Sequence, residues 1–400
     1  LGASSWWPDK DHPSDEPDSA RLTFIVPKGY DVVSNGRFQG KKDVDKDYTS
    51  HTWFVDDPIN NYDITFYLGK FSHFSDTITN KYGKYPLDYY VLPYNFEEAQ
   101  KCFGQAKQVL EFYEKAFGEF PFMKDKYCLV ESPYEGMEHQ GAIAYGNDFN
   151  KQAKDQMYLD KKYDYIIVHE SAHEWWGNSV TASDMADIWL QEGFATYSEM
   201  MFIEHVDGYA MYVKEMKREM ERIYNIWPVV ENYNVNENAF ASNDCYMKGA
   251  TILHNLRCTI DSDSLFFKII KDFALKYEKK IVTTTDFIHM VNEYTGNNYS
   301  AFFKKFLYDK NLPVLKYSYR KVGNDIVLKY QWDEVDKGFV MPFSIWAGAN
   351  QNLRLVGTTD PQEITLKNTS SFHFYTVWID PEKAPRNGFT YYWTKCANED

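Results

Sequence analysis

The segment His169-Glu170-Ser171-Ala172-His173 sets two imidazoles four residues apart, with a carboxylate beside the first. On a helix, residues four apart lie on one face, one turn above each other. Two imidazoles so placed can grip a single zinc ion. Glu170 falls about 100° round such a helix, where its carboxylate reaches a metal-bound water rather than the metal. The neighbours Ile166, Ile167, Val168, Trp175 and Trp176 predict a buried helix, ended by Gly177-Asn178. A third ligand is available in Glu192, within Asp187-Ile-Trp-Leu-Gln-Glu-Gly-Phe-Ala195, after eighteen intervening residues. That length lets a second helix pack on the first and present the carboxylate. Three protein ligands leave a position for water, the pattern of a catalytic rather than a structural zinc site. Glu199 lies seven residues, hence two turns, beyond Glu192. It is a candidate to orient a ligand histidine, with a solvated helix carboxylate as the plain alternative.

Further blocks, in order along the chain, carry a resemblance. Tyr134-Glu-Gly-Met-Glu138-His-Gln-Gly141 resembles the Gly-x-Met-Glu-Asn motif of the M1 family of zinc aminopeptidases. Asp187–Ala195 resembles that family's Trp-Leu-Asn-Glu-Gly-Phe-Ala signature, and Tyr246-Met-Lys-Gly-Ala250 its Tyr-Glu-Lys-Gly-Ala block. Trp6-Trp-Pro-Asp-Lys-Asp11 is similar to a block of its N-terminal β-domain.

The resemblance implies that His169, His173 and Glu192 bind one zinc ion per chain and that Glu170 is the general base. Glu138, with Gly136 and Met137 beside it, would bind a peptide by its free α-amino group, since a fixed carboxylate reads an ammonium through a charge-assisted hydrogen bond. Tyr246 would stabilise the oxyanion, a contribution of roughly 3–4 kcal/mol by analogy with other oxyanion donors. Tyr134 occupies a position that lines the first specificity pocket in many members. The implied reaction is hydrolysis of the N-terminal peptide bond by a zinc-activated water.

The chain also departs from the pattern. Glu135 stands where the motif has its first Gly, Gly136 replaces the usual Ala, and His139 replaces the usual Asn. A further amine-binding Gln or Glu would fall before Leu1, and the large C-terminal helical domain of some members has no counterpart.

Positioning these residues requires elements that the sequence also announces. Residues 1–85 read as β, with strands at Leu22–Pro27 and Ile64–Leu68 and a turn at Asn35-Gly36. Phe96, Ala99, Phe103, Ala106, Val109, Leu110 and Tyr113 fall at helical spacing, predicting one helix from Asn95 to about Gly118. Tyr127–Glu131 reads as a strand, and helices dominate from Tyr163 to about Leu307. Strands are expected again at Val314–Tyr319, Asp325–Tyr330 and Phe372–Trp378. The expected fold is multidomain α+β. Residues 1–85 would be part of an N-terminal β-sandwich, 86–310 a thermolysin-like, mostly helical catalytic domain, and 311–400 a C-terminal β-sandwich. A half-sandwich would leave apolar strand faces uncovered, so an additional N-terminal segment is expected.

Composition limits the alternatives. The 400 residues are 44% hydrophobic and 25% charged, with a formal net charge of -15. That is globular composition, and its field opposes nucleic-acid binding in the absence of a local basic patch. No apolar run approaches the ~18 residues of a membrane helix. The five cysteines include no Cys-x-x-Cys pair, so a thiolate zinc site is not expected, while a disulfide stays open. Leu1-Gly-Ala-Ser-Ser-Trp-Trp is neither an initiator methionine nor a signal peptide, so localisation is undetermined. His254 and the histidines without ligand spacing are read as structural. Beside the aminopeptidase stands a catalytically silent peptide-binding module of the same fold. A thermolysin-type endopeptidase and a zinc epoxide hydrolase stand further off.

Overall fold

The computed structural model describes residues 2–150, 162–235, 242–348, 351–374 and 395–398. Two compact units emerge: Leu1–Phe202 with Ile270–Thr283, and Ile203–Ile269 with Thr284–Asp400.

The first unit opens with strands β1 (Ala20–Pro27), β2 (Asp31–Ser34), β3 (Arg37–Asp43), β4 (Tyr48–Val55) and β5 (Phe66–Gly69). They form a sheet of order β1-β4-β3 and a β2-β5 pair. Asn35-Gly36 makes the β2–β3 turn, with Gly36 at φ +74. A Cβ there would strike the Phe54 carbonyl, so the turn needs glycine. Next come β6 (Ser72–Thr79), β7 (Lys84–Val91), β8 (Tyr127–Glu131), β9 (Gly136–Met137) and β10 (Ile143–Tyr145). They build a five-stranded sheet, β6-β7-β8-β10-β9. Its centre is parallel and its two edges antiparallel, with Met137 opposite Ala144 and Gly136 opposite Tyr145.

The single helix expected over 95–118 is two, α1 (Phe96–Phe103) and α2 (Gln105–Phe117). Gly104 turns its N–H to the Cys102 carbonyl, and the Gln105 amide donates to the same oxygen at 2.7 Å, so the hydrogen-bond ladder breaks. Then follow α3 (Tyr165–His173) and α4 (Trp189–Asp207), whose residues to 202 belong to this unit. The helical zone also contains a pair not expected from the sequence, β11 (Val180–Ala182) parallel to β12 (Lys280–Val282).

The core behind α3 is aromatic. Tyr113, Phe117, Phe120, Trp175 and Trp176 are buried, with Phe117 and Trp176 rings 5.0 Å apart edge-to-face. Each such side chain removes 150–250 Å² from water. This sink for apolar area sets α3 rigidly against α2, β9 and β10.

The second unit contains α5 (Tyr209–Met220), α6 (Asp244–Ile260), the first part of α7 (Asp263–Lys276), α8 (Thr284–Thr295) and α9 (Ser300–Leu307). After it come two sheets. One is β17 (Gln362–Leu366), β14 (Asp325–Asp333), β13 (Val314–Val322) and β19 (Lys395–Asn398). The other is β16 (Gln351–Gly357), β15 (Met341–Ala347) and β18 (Phe372–Phe374). The strand expected over 372–378 is described as far as Phe374; its remainder lies outside the described residues. Trp332 and Tyr330 of β14 meet Phe343 of β15 edge-on, filling the space between the sheets. The whole is a multidomain α+β architecture: β-sheets first, helices in the middle, β-sheets last. Among the described residues no helix is long and apolar enough to cross a membrane.

Candidate active site

Helix α3 starts at a cap. Asp164 accepts the Ile166 N–H at 3.1 Å, satisfying one of the free amides of the first turn. The same carboxylate takes the Tyr145 hydroxyl at 2.5 Å and the Asn147 amide at 3.0 Å. Farther along, the Tyr113 hydroxyl donates to the Val168 carbonyl and the Tyr127 hydroxyl bonds Ser171. Regular helix ends at His173, earlier than the apolar run through Trp176 suggests. Asn178 N–H closes on the His173 carbonyl at 3.0 Å, and the two tryptophans are buried in the turn beyond.

The one-turn spacing brings His169 Nε2 to 3.1 Å from His173 Nε2. From α4, Glu192 Oε2 stands 3.2 Å from His173 Nε2 and 3.5 Å from His169 Nε2. The opposite ring nitrogens are occupied: His169 Nδ1 by Glu199 Oε1 at 2.7 Å, His173 Nδ1 by the Trp176 carbonyl at 2.8 Å. A proton on each Nδ1 leaves both Nε2 lone pairs aimed at one point, together with a carboxylate oxygen. Gly177 guards that arrangement. Its φ is +134, and a Cβ there would press on His173 Nδ1 at 3.3 Å. Two imidazoles and one carboxylate form the donor set that zinc favours. The residues present therefore fit such an ion.

The electrostatics agree with a cation-binding centre. Burial opposes charge on every group, but His173 and His169 draw the Glu192 carboxyl down to about 2. In return, Glu192 and Glu138 overcome burial and raise His173 to about 9. Glu170 behaves oppositely. Burial, reinforced by Glu138 and Glu192 against the two imidazoles, lifts it to about 8.

Glu138 follows edge strand β9, and its backbone carbonyl accepts the Asn178 amide at 2.9 Å. Donor atoms of Glu138, Glu170 and His173 lie within 4.8 Å of one another. Gly136 allows this, because a Cβ at that position would land on the Glu170 carboxylate. Met137 is half-buried on β9, and Tyr134, just before it, is 44% exposed. His139 turns Nδ1 to the Tyr67 oxygen at 2.9 Å, while Tyr67 donates to the Ala142 carbonyl at 2.7 Å. His139, which stands where the resembled motif has Asn, is thus engaged in a local network with Tyr67.

Tyr246 lies in the second unit, half-buried in the first turn of α6. Asp244 fixes that turn by accepting the Tyr224 and Asn225 amides at 2.9 and 2.6 Å. Lys248 then donates to Asn225 Oδ1 at 2.7 Å. Burial brings the Lys248 ammonium down to about 8.

The first unit thus assembles His169, Glu170, His173, Glu192, Glu199 and Glu138 from two helices and one strand edge. Two participants escaped the sequence reading. Asn178 had been seen only as a helix stop. Tyr62 sits in a segment, Pro58-Ile-Asn-Asn-Tyr, whose only signal is a proline and two asparagines before an aromatic.

Comparison with known proteins places this geometry in a family context. Residues 102–306, more than half of the chain, match the model of the peptidase family M1 domain. Glutamyl aminopeptidase of Sus scrofa is 28% identical over 298 residues, 70% of this chain and 31% of that protein. The chain spans about a third of the length of the curated relatives it matches. Among solved structures, Legionella pneumophila aminopeptidase A in complex with aspartic acid superimposes with a TM-score of 0.76 at 19% identity. That match covers 89% of this chain and 43% of the other. An M1 zinc metallopeptidase from Deinococcus radiodurans gives 0.60 at 22%, covering 73% and 63%.

Proposed function

The chain belongs to peptidase family M1, and from that premise we propose that it is a zinc-dependent aminopeptidase acting on peptides with a free N-terminus. One observation carries the reading: the His169, His173 and Glu192 donors converge on a point beside which Glu138 and Glu170 hold two further buried carboxyls. The zinc metallopeptidase among the fold neighbours supports the choice of metal.

His169, His173 and Glu192 would hold the ion, and Glu199 would keep His169 in the correct tautomer. When bound, zinc supplies Lewis acidity and can bring the pKa of a water near 7. Glu170, buried and with a raised pKa, accepts the proton of the attacking water and delivers it to the departing amine. Glu138 takes the substrate ammonium in a charge-assisted bond and so fixes which peptide bond is presented. Gly136 and Met137, on the strand edge, flank the bound N-terminal residue, and Tyr134 borders its side chain. Tyr246 is assigned to the carbonyl oxygen by the resemblance of its block.

The test is a panel of aminoacyl fluorogenic substrates, run with zinc-loaded protein and its Glu170→Gln variant, beside an N-acetylated peptide. Turnover abolished in the variant and absent on the blocked peptide is expected. Cleavage of the blocked peptide would indicate an endopeptidase. Tight binding without turnover in either protein would indicate a silent binding module.

A further inference from the structure

Tyr62 belongs to a short 3-10 turn, Asn61–Asp63, that is pinned with unusual thoroughness. Asn60 accepts the Tyr62 N–H at 3.3 Å and donates to the Pro13 carbonyl at 2.5 Å. Asn61 donates to Asp15 at 3.0 Å. Asn35 donates to the Asp63 carbonyl at 3.0 Å and to the Gln140 carbonyl at 2.8 Å, stapling this turn to the segment that bears Glu138. Four of these five bonds engage backbone atoms, and together they fix the turn that carries the Tyr62 side chain.

That side chain ends in a hydroxyl shut off from solvent with no hydrogen-bond partner of ordinary geometry. It lies 3.6 Å from where a Cβ on Gly177 would stand, a position itself 3.3 Å from His173 Nδ1. Burial first, then Asp63, Glu138 and Glu192, keep the phenol protonated, and Glu138 also attracts its proton as a hydrogen-bond acceptor. A buried hydroxyl without a well-aligned partner is costly. A phenol offers one donor and an acceptor oxygen. Beside carboxylates it can give its proton to one of them and turn its lone pairs to a cation.

We propose that Tyr62 is a recognition residue for the substrate's α-ammonium, its oxygen accepting one ammonium N–H while Glu138 accepts another. The inference rests on the aminopeptidase reading and adds a contact to it. The three N–H donors of an ammonium exceed what one Glu138 oxygen satisfies, and Tyr62 supplies a neutral acceptor where another carboxylate would add repulsion. The ligand class is a primary amine next to a carbonyl, the N-terminus of a peptide.

The experiment compares inhibition by an α-amino hydroxamate with inhibition by its des-amino counterpart. The two chelate the metal alike and differ only in the ammonium. Tyr62→Phe should weaken the amino compound about tenfold and leave the des-amino compound within about twofold, with zinc content unchanged. The ratio is read on one variant, so a general loosening of the turn would move both constants and cancel. Equal weakening of both compounds, or of neither, overturns the proposal. If the wild-type protein fails to distinguish the two compounds, the aminopeptidase reading falls and takes this one with it. Discrimination kept intact in Tyr62→Phe removes Tyr62 alone.

Discussion

Glu199 Oε1 lies 2.7 Å from His169 Nδ1, on the same helix that presents Glu192 to the other side of the imidazoles. One helix thus carries both the carboxylate beside the two Nε2 atoms and the carboxylate bonded to His169 Nδ1. Their seven-residue separation puts them two turns apart on one face. A shift of α4 along its axis would disturb both together.

Replacing Glu199 by Gln keeps the shape and loses the charge. The amide no longer reinforces the basicity of His169, and its NH2 competes for the wrong tautomer. Zinc affinity should fall about 10–100-fold, read by competition with a chromophoric chelator. Unchanged affinity and turnover would reduce Glu199 to a helix carboxylate.

Asp164 acts one step further back. Its carboxylate caps α3 and also satisfies the Tyr145 hydroxyl and the Asn147 amide. Asp164→Ala should cost about 2–3 kcal/mol, the cap plus partners left unpaired in the interior. A lowered melting temperature together with easier zinc loss to a chelator is expected. Full stability in the variant would show that the packing of Trp175 and Trp176 alone fixes the helix.

Much of this was legible because it is periodic. The strand at Tyr127–Glu131 has the bounds that its apolar run suggested, and α3 follows from the buried face of Ile166 to His173. What escaped the sequence reading depends on contacts between distant segments. Gly104 keeps right-handed helical dihedrals, φ -56 and ψ -23, so nothing local announces the break. The break is completed by the Gln105 side chain. The end of α3 at His173 is set by Asn178 and by the Gly141 amide bonding Glu174, again partners that periodicity does not reveal. The turn that bears Tyr62 is tied to residue 140 by Asn35, a contact between segments far apart in the chain.

His254, in the second unit, supplies a pH test. Burial first, and then Arg257, depress its pKa to about 3, and Tyr212 shares a 2.7 Å hydrogen bond with its Nδ1. Its unfolded value is ~6.5. A histidine kept neutral in the fold stabilises fully above that value. The contribution is lost as pH falls from about 6.5 toward 3, because the unfolded chain binds the proton first. Each such group contributes a slope of about 1.4 kcal/mol per pH unit in that window. His254→Gln should lower the melting temperature at pH 7.5 yet decline less steeply between pH 6.5 and 4. Parallel curves for the two proteins would place the acid sensitivity elsewhere.

Tyr246 and Asp244 share the first turn of α6 and should fail in different ways. If the phenol stabilises the developing oxyanion, Tyr246→Phe lowers kcat about 10²–10³-fold with KM and zinc content little changed. Asp244 never needs to meet substrate. Its carboxylate binds the amides of Tyr224 and Asn225, and Asn225 is held in turn by Lys248. Asp244→Ala should therefore lower kcat through a loosened turn and also lower the melting temperature, whereas Asp244→Asn, still an acceptor through one oxygen, should recover part of both. Steady-state kinetics and thermal melts on the three variants separate the roles. A Tyr246→Phe enzyme with unaltered kcat would remove the tyrosine from the chemistry and leave the Asp244 clamp as a purely architectural feature of α6.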